Sequence, residues 1–592
     1  MNSILSRLAL VRELMEQDGV THYLVDTADP HLSEYINDYY KEREYLSGFT
    51  GSNGTLLIMK NEAYLWTDGR YFVQAKDELN GSGIELMRMG LAGVPTITDF
   101  LKDNFKDGDV LGFNGFLISA RMGKKLKGIC KVIRSDVDYC KRIWLDRPLD
   151  SASKAYILSD DVCGENAKNK LQRLRRAIEK EKVSQILITK LDDIMWLFNI
   201  RGNDIECNPV CYSYSYISLN RTVFYIKREA LTDELHKYMQ ELDVEIKDYE
   251  EIEKVSSIFD DGSIMLDEAS VNFAVYEQAC KDHVVVDKSS PTELMKAVKN
   301  DVEIARSKEC YLNDSVVLTR FIKYIKEHVV KEEISEVRAA AILDEMRSKI
   351  PGFIELSFPT ISAYGANAAM MHYEAKEDDC AVLKPEGIYL VDSGATYING
   401  TTDVTRSIIL GPCTDDMKLH FTKALAGMLR LMNASFMYGC VGTNLDILAR
   451  GPLWGIGIDY KCGTGHGVGY ILGVHEGPQS IRTKRRPGED EPKFEAGMIV
   501  SDEPGVYIEG SHGIRHENIL LCVSDITNQD GTFMHFEPLT LVPIDLDGVD
   551  VSQLTSQDIM YLNKYHELVF EKLSPFMDDE ELLWLKNATR LI

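Results

Sequence analysis

Apolar residues at Ile4, Leu5, Leu8, Val11, Leu14 and Met15 recur at three- and four-residue intervals, which predicts an amphipathic helix over residues 1–20. A strand over 21–25 follows, then a loop and helix around 29–40. Two more strands come next, the second over 62–66, running into Thr67-Asp68-Gly69-Arg70, where the glycine and its polar neighbours mark a turn. A similar order recurs after Leu149: a charged helix over 167–182, a strand over 185–189, a helix over 194–199, then Arg201-Gly202. Helices and strands alternate in both copies, so this degenerate repeat reads as two α/β domains, residues 1–150 and 151–290, and not as a solenoid. A third unit, 291–592, opens with a long charged helix over 296–326 and continues as helices alternating with hairpin-like segments. It closes on a helical stretch over 556–586 with a break at Pro575.

Length and composition narrow the function classes. A chain of 592 residues exceeds what one core supports, and 44% apolar with 27% charged residues is the balance of an ordinary globular protein. The formal charge of -27 repels phosphate backbones, so nucleic acid is excluded as a partner. The short basic run at 482–486 reads as a solvated loop. Twelve cysteines without a CxxC pair read as reduced thiols, which points to the cytoplasm. No apolar run approaches the ~20 residues of a membrane span, and the first twenty residues lack a secretory apolar core, so no membrane association is expected.

The chemistry concentrates in the third unit. Residues 388–407 read as two strands about a turn at Asn399-Gly400, which supplies the positive-φ positions of a hairpin. Asp392 directly follows the apolar Tyr389-Leu390-Val391, so its carboxylate faces an interior or a site. Asp392 and Asp403 are eleven positions apart and share a face only if the loop is even. A four-residue loop, 397–400, pairs Asp403 with Gly394 and makes the two aspartates diagonal neighbours, their Cα atoms roughly 7–8 Å apart. A second acidic hairpin surrounds 509–513. Glu503 and Glu517 are fourteen apart, which requires an odd loop; five residues would pair Glu517 with Gly505 and give the same diagonal offset. Pro504 makes that strand irregular and edge-like.

Between the hairpins, Cys462-Gly463-Thr464-Gly465-His466-Gly467-Val468-Gly469 allows close backbone approach and leaves His466 unshielded. It has neither a phosphate-loop ending nor dinucleotide spacing. Four converging carboxylates and one imidazole carry about four negative charges, which would force protons onto the site unless cations balance them. Two divalent ions do so, and the oxygen-rich ligand set suits Mn²⁺ best, with cobalt and zinc as alternatives.

These five positions, Asp392, Asp403, His466, Glu503 and Glu517, resemble the metal set of the pita-bread metallopeptidases. The resemblance extends over nearly the whole chain: Phe358-Pro359-Thr360, His372-Tyr373, Gly400-Thr401-Thr402-Asp403-Val404-Thr405-Arg406, His475-Glu476-Gly477-Pro478, and Trp66-Thr67-Asp68-Gly69-Arg70 are similar to the three-domain Xaa-Pro aminopeptidases. It implies two creatinase-like α/β domains before an α+β pita-bread catalytic domain. It also implies release of the N-terminal residue from peptides with proline second, two metal ions and a homodimer formed through the catalytic domain. By the same resemblance His372 and His475 are the substrate-binding and proton-transfer histidines, Arg515 stands beside the last ligand, and Glu503 also handles the proton of the attacking water. Cys462 departs from the family, which commonly carries a histidine there, and the lost histidine reads as auxiliary.

Each residue alone has a simpler structural role. Asp392 or Asp403 could be a strand-end carboxylate, Glu517 a partner for Arg515, His372 a core histidine beside Met370 and Met371, and His475 a loop donor. The joint pattern outweighs these. A silent peptide-binding relative should have lost ligands, a creatinase-like hydrolase lacks the metal set, and a prolidase lacks the middle domain.

Overall fold

The computed structural model describes residues 3–485 and 491–592. The chain forms two compact units, 1–293 and 294–592.

In the first unit the N-terminal helix runs Ile4–Asp18, capped by the Ser3 side chain and ended by left-handed Gly19, with Leu8, Val11 and Met15 buried. It covers a six-stranded sheet whose strands, by sequence order, lie 4-3-2-1-5-6. The first three, His22–Asp26, Thr55–Met59 and Ala63–Thr67, are antiparallel. The remaining three add in parallel. A second six-stranded sheet begins with Gln185–Ile188 and has the same internal order and the same pattern of parallel and antiparallel pairs. The repeat inferred from the sequence is therefore a repeat of topology.

One expectation in this unit fails. Residues 29–40 form no helix beyond a single 3₁₀ turn, Asp38–Tyr40. The Asp29 carboxylate accepts from the backbone N–H of both His31 and Ser33, a local turn that competes with helix. His31 is then fixed between the Thr189 carbonyl and the Tyr249 hydroxyl, both 2.7 Å away.

In the second unit the expected helix over 296–326 is two helices, Pro291–Ala297 and Asp301–His328. Asn300 breaks it, capping the second helix in a reciprocal box with Glu303. The longer helix and Glu336–Ser348 pack Leu318, Phe321, Ile325 and Leu343 against Tyr389 and Val391 of the strand Ile388–Ser393. That strand lies between Ile361–Tyr364 and Val404–Ile409 in an antiparallel sheet. On the other side, helix Asp415–Met432 packs Phe421, Leu425 and Met428 with Val500, Ile514 and Leu520 of the remaining strands. Each fully buried Leu or Phe stabilises by roughly 1.5–3 kcal/mol, so the helices hold the strands in place independently of the polar groups between them. Ser556–Leu573 and Asp579–Ala588 form the closing helices, separated at Pro575 as expected. Lys484 and Arg485 are exposed, and Arg486 lies outside the described residues. No helix among the described residues is long and apolar enough to cross a membrane. None of the twelve cysteines is in a disulfide.

Candidate metal centre

The strands Ile388–Ser393 and Val404–Ile409 pair Asp392 with Thr405 and Ser393 with Val404, so the next pair in that register is Gly394 with Asp403. The two aspartates are thus diagonal neighbours, as the parity argument requires. The turn is tighter than expected, since Tyr397 still pairs with Gly400 across Ile398-Asn399. Asn399 does not take positive φ there. The register survives because either loop length is even.

The second hairpin keeps its parity but not its register. Its loop has three residues, Glu509 to Ser511, because Ile508 pairs with His512. Gly505 faces Arg515 in place of Glu517, and Asp502 faces Asn518. Glu503 and Glu517 therefore stand directly opposite each other. The strand breaks at Pro504, between Ile499–Asp502 and Gly505–Ile508.

The strand Gly465–Gly467 delivers His466 beside these four carboxylates. A side chain at Gly465 would place its Cβ 1.9 Å from the Ser501 carbonyl oxygen, so only glycine permits this approach. His466 Nδ1 lies 2.9 Å from the Gly467 carbonyl, which holds the proton on that nitrogen and turns Nε2 toward the acids. Nε2 is 3.4 Å from Asp403 Oδ2 and 3.4 Å from Glu503 Oε1. Asp403, His466 and Glu517 each offer one donor atom within 4.8 Å of the others, which fits metal ligation.

Charge at this spot is costly without a cation. Burial, and then the Asp403 and Glu503 charges, push Asp392 to about 6 against the pull of Arg515. Burial and the neighbouring acids drive Glu517 well above the usual carboxylate range. Burial disfavours imidazolium at His466, yet Asp403 and Glu503 raise it to about 9. Asp392 Oδ1 and Glu517 Oε1 are buried without a hydrogen-bond partner. Buried carboxylate oxygens without hydrogen-bond partners, on residues set among other acids, fit ligation of a cation.

Further side chains orient the acids. Arg515 is ion-paired with Asp392 through Nη2, donates from Nε to Thr405 Oγ1 at 2.9 Å and from Nη1 to the Tyr507 hydroxyl at 2.8 Å. Thr405 in turn donates to Glu517 Oε2 at 2.7 Å, and Ser501 donates to Glu503 Oε1 at 3.0 Å. Thr405, Ser501 and Tyr507 were not identified from the sequence. Thr405 and Tyr507 were within reach of the parity rule, since they lie two positions from Asp403 and Gly505 on the same strand faces.

The two remaining histidines lie outside regular strands. The His475 ring meets the His466 ring edge-on at 4.3 Å between centroids. His372 is half-buried in the turn after the 3₁₀ segment Gly365–Ala369. That segment runs against the Arg515 strand so closely that a Cβ at Gly513 would fall 1.6 Å from the Ala368 carbonyl oxygen. Cys462 sits with Leu453, Tyr460 and Val506 in a small apolar cluster that also touches Tyr507.

Paired acidic hairpins, an inward imidazole and an arginine-backed carboxylate define a metallohydrolase of the pita-bread class. The known proteins agree. Profiles of the creatinase/prolidase N-terminal domain match residues 7–140 and 146–303, the metallopeptidase family M24 matches 307–524, and its C-terminal region matches 532–592. A probable Xaa-Pro aminopeptidase P from Tuber melanosporum is 37% identical over 99% of this chain and 98% of its own. The crystal structure of the X-prolyl aminopeptidase from Caenorhabditis elegans, described as a cytosolic enzyme with a di-nuclear active site, superposes with a TM-score of 0.94 at 32% identity over the whole of both chains. An Xaa-Pro dipeptidase from Bacillus anthracis shares the fold at 24% identity and a TM-score of 0.51, covering 64% of this chain and 99% of its own. The chain belongs to metallopeptidase family M24 and, within it, to the Xaa-Pro aminopeptidases. Full-length similarity to Xaa-Pro aminopeptidases, at 37% and 32% identity, supports the aminopeptidase reading over the prolidase alternative.

Proposed function

We propose that this chain removes the N-terminal residue from peptides carrying proline in second position, with two divalent ions, Mn²⁺ by preference, held by Asp392, Asp403, His466, Glu503 and Glu517. The observation that carries the reading is the convergence of Asp403, His466 and Glu517 donor atoms within 4.8 Å beside two orphaned carboxylate oxygens. When bound, the ions polarise the scissile carbonyl and acidify a water. Glu503, the most accessible of the four acids, takes the proton of that water. His475, against His466, hands a proton to the departing prolyl nitrogen, and His372 binds the substrate. Arg515 holds Asp392 in its ligating rotamer and offsets part of the excess negative charge.

The enzyme works in the cytoplasm as a homodimer formed through the catalytic unit. Cysteines outside any disulfide and the cytosolic description of the nematode relative support the first part; the second rests on the family resemblance. The test is hydrolysis of Arg-Pro-Pro, Arg-Ala-Ala and Ala-Pro by chelator-stripped protein with and without Mn²⁺. Manganese-dependent cleavage of Arg-Pro-Pro alone is expected. Cleavage confined to Ala-Pro, or full turnover without metal, would overturn the reading.

A further inference from the structure

Behind the segment that carries His475 lies a second charged cluster, apart from the metal centre. Glu476 is ion-paired with Lys299 through Oε1 and with Lys296 through Oε2, the latter at 3.3 Å. Lys299 also donates to the Lys296 carbonyl at 3.0 Å. All three side chains are at least 95% buried. Two ammonium groups and one carboxylate taken out of water are a poor way to gain stability, because desolvation offsets their attraction and a well-packed apolar trio would serve as well. Such a cluster fixes geometry instead: each charge has its partners at defined positions, and sliding the backbone would leave one unpaired.

The backbone it fixes is that of His475. Glu476 opens the strand Glu476–Ile481 and pairs with Gly467, the residue after His466, at a point where the register shifts. On the other side of His475, Thr401 clasps Leu472, donating from Oγ1 to its carbonyl at 2.8 Å and accepting from its N–H at 3.3 Å. Between clasp and metal ligand, Ile471 holds φ at +52°, a conformation that β-branched residues rarely adopt. The three residues 473–475 are therefore strung between two anchored points. A short, doubly anchored loop ending on a ring set edge-on to His466 leaves that ring little freedom.

We propose that Lys296, Glu476 and Lys299 act as positioning residues that aim His475 at the leaving group. The proposal rests on the proton-transfer role assigned above to His475.

The test compares four Mn²⁺-loaded full-length proteins: wild type, H475A, the apolar triple variant Lys296→Met/Lys299→Met/Glu476→Leu, and the two combined. Tm, kcat and KM for Arg-Pro-Pro are read on each. The triple variant is expected to keep its Tm, because no charge is left unpaired. Its kcat should fall on the order of 10- to 100-fold, the usual cost of a small misplacement, with KM within about twofold. In the H475A background the same replacement should cost nothing further. Recovery of kcat together with Tm in the triple variant would show a purely structural cluster and overturn the proposal, as would a full additional loss in the H475A background. Wild-type kcat in H475A alone would remove the role of His475, and the positioning claim with it. Should the triple variant not fold, Lys299→Met leaves the balanced Lys296–Glu476 pair and is read by the same criteria.

Discussion

Glu503 and Glu517 face each other directly across two strands, at the one place where the ladder between them is interrupted by Pro504. Facing carboxylates are destabilising in an ordinary sheet. Here the break at Pro504 frees both side chains from ladder geometry, and in the proposed site they form two edges of a cation cage.

Replacing Glu517 by Gln keeps its shape and the Thr405 contact while removing the charge. Activity on Arg-Pro-Pro should fall by about three decades, roughly 4 kcal/mol of transition-state stabilisation. Metal content, read by elemental analysis after dialysis, should fall with it. Full metal loading with full activity would refute the assignment of this ligand.

Thr405 touches no substrate in this scheme; it bridges Arg515 and Glu517. Thr405→Val should therefore weaken Mn²⁺ binding by about 10- to 100-fold, the usual effect of losing an outer hydrogen bond to a ligand. Activity should return at saturating metal. A loss of kcat that excess Mn²⁺ does not repair would contradict this role.

Without metal, three of the proposed ligands should make the fold pH-sensitive in one direction. Asp392, pushed up to about 6 by burial and the Asp403 charge, contributes stability below its unfolded value, lost as pH rises through 6. Glu517, also raised, acts with the same sign. His466, raised to about 9 by Asp403 and Glu503 against its burial, contributes stability below about 6.5 that is lost as pH rises through 9. Thermal unfolding of chelator-stripped protein from pH 5 to pH 9 should show a falling Tm. The gain on adding Mn²⁺ should grow over the same window, because binding displaces those protons. A metal-induced gain independent of pH would count against these residues as the ligands.

Cys462 fills a small apolar niche beside Tyr507. Cys462→Ala should change kcat/KM by less than about tenfold, under 1.4 kcal/mol. A larger drop would make the thiol a participant in substrate handling.

The sequence was most legible where a rule has a strict period. The diagonal placement of Asp392 and Asp403 followed from parity, because an even loop of either two or four residues leaves their register unchanged. Glu503 and Glu517 were correctly placed on one face but two positions out of register, since three- and five-residue loops satisfy parity equally and only packing chooses between them. The helix expected near Asp29 failed because a carboxylate caps a local turn, and such competition is invisible to periodicity. His372 and His475 lie outside periodic elements, so only the resemblance could assign them. Thr405 and Tyr507 were overlooked although the parity rule reached them, as neither residue type announces a ligand-supporting role.

The shared strand order of the two N-terminal sheets has a consequence for synthesis. In each sheet the first strand pairs early with its antiparallel neighbour, but its other edge waits for the fifth strand: His22 meets Leu111 and Gln185 meets Ile264. At roughly 5–20 residues per second, the ribosome takes several seconds to deliver either partner. During each interval a short, apolar strand edge stands open on the nascent chain, the kind of edge that recruits foreign strands. The repeat thus exposes the chain twice to the same hazard, and relief comes only when each late parallel strand arrives.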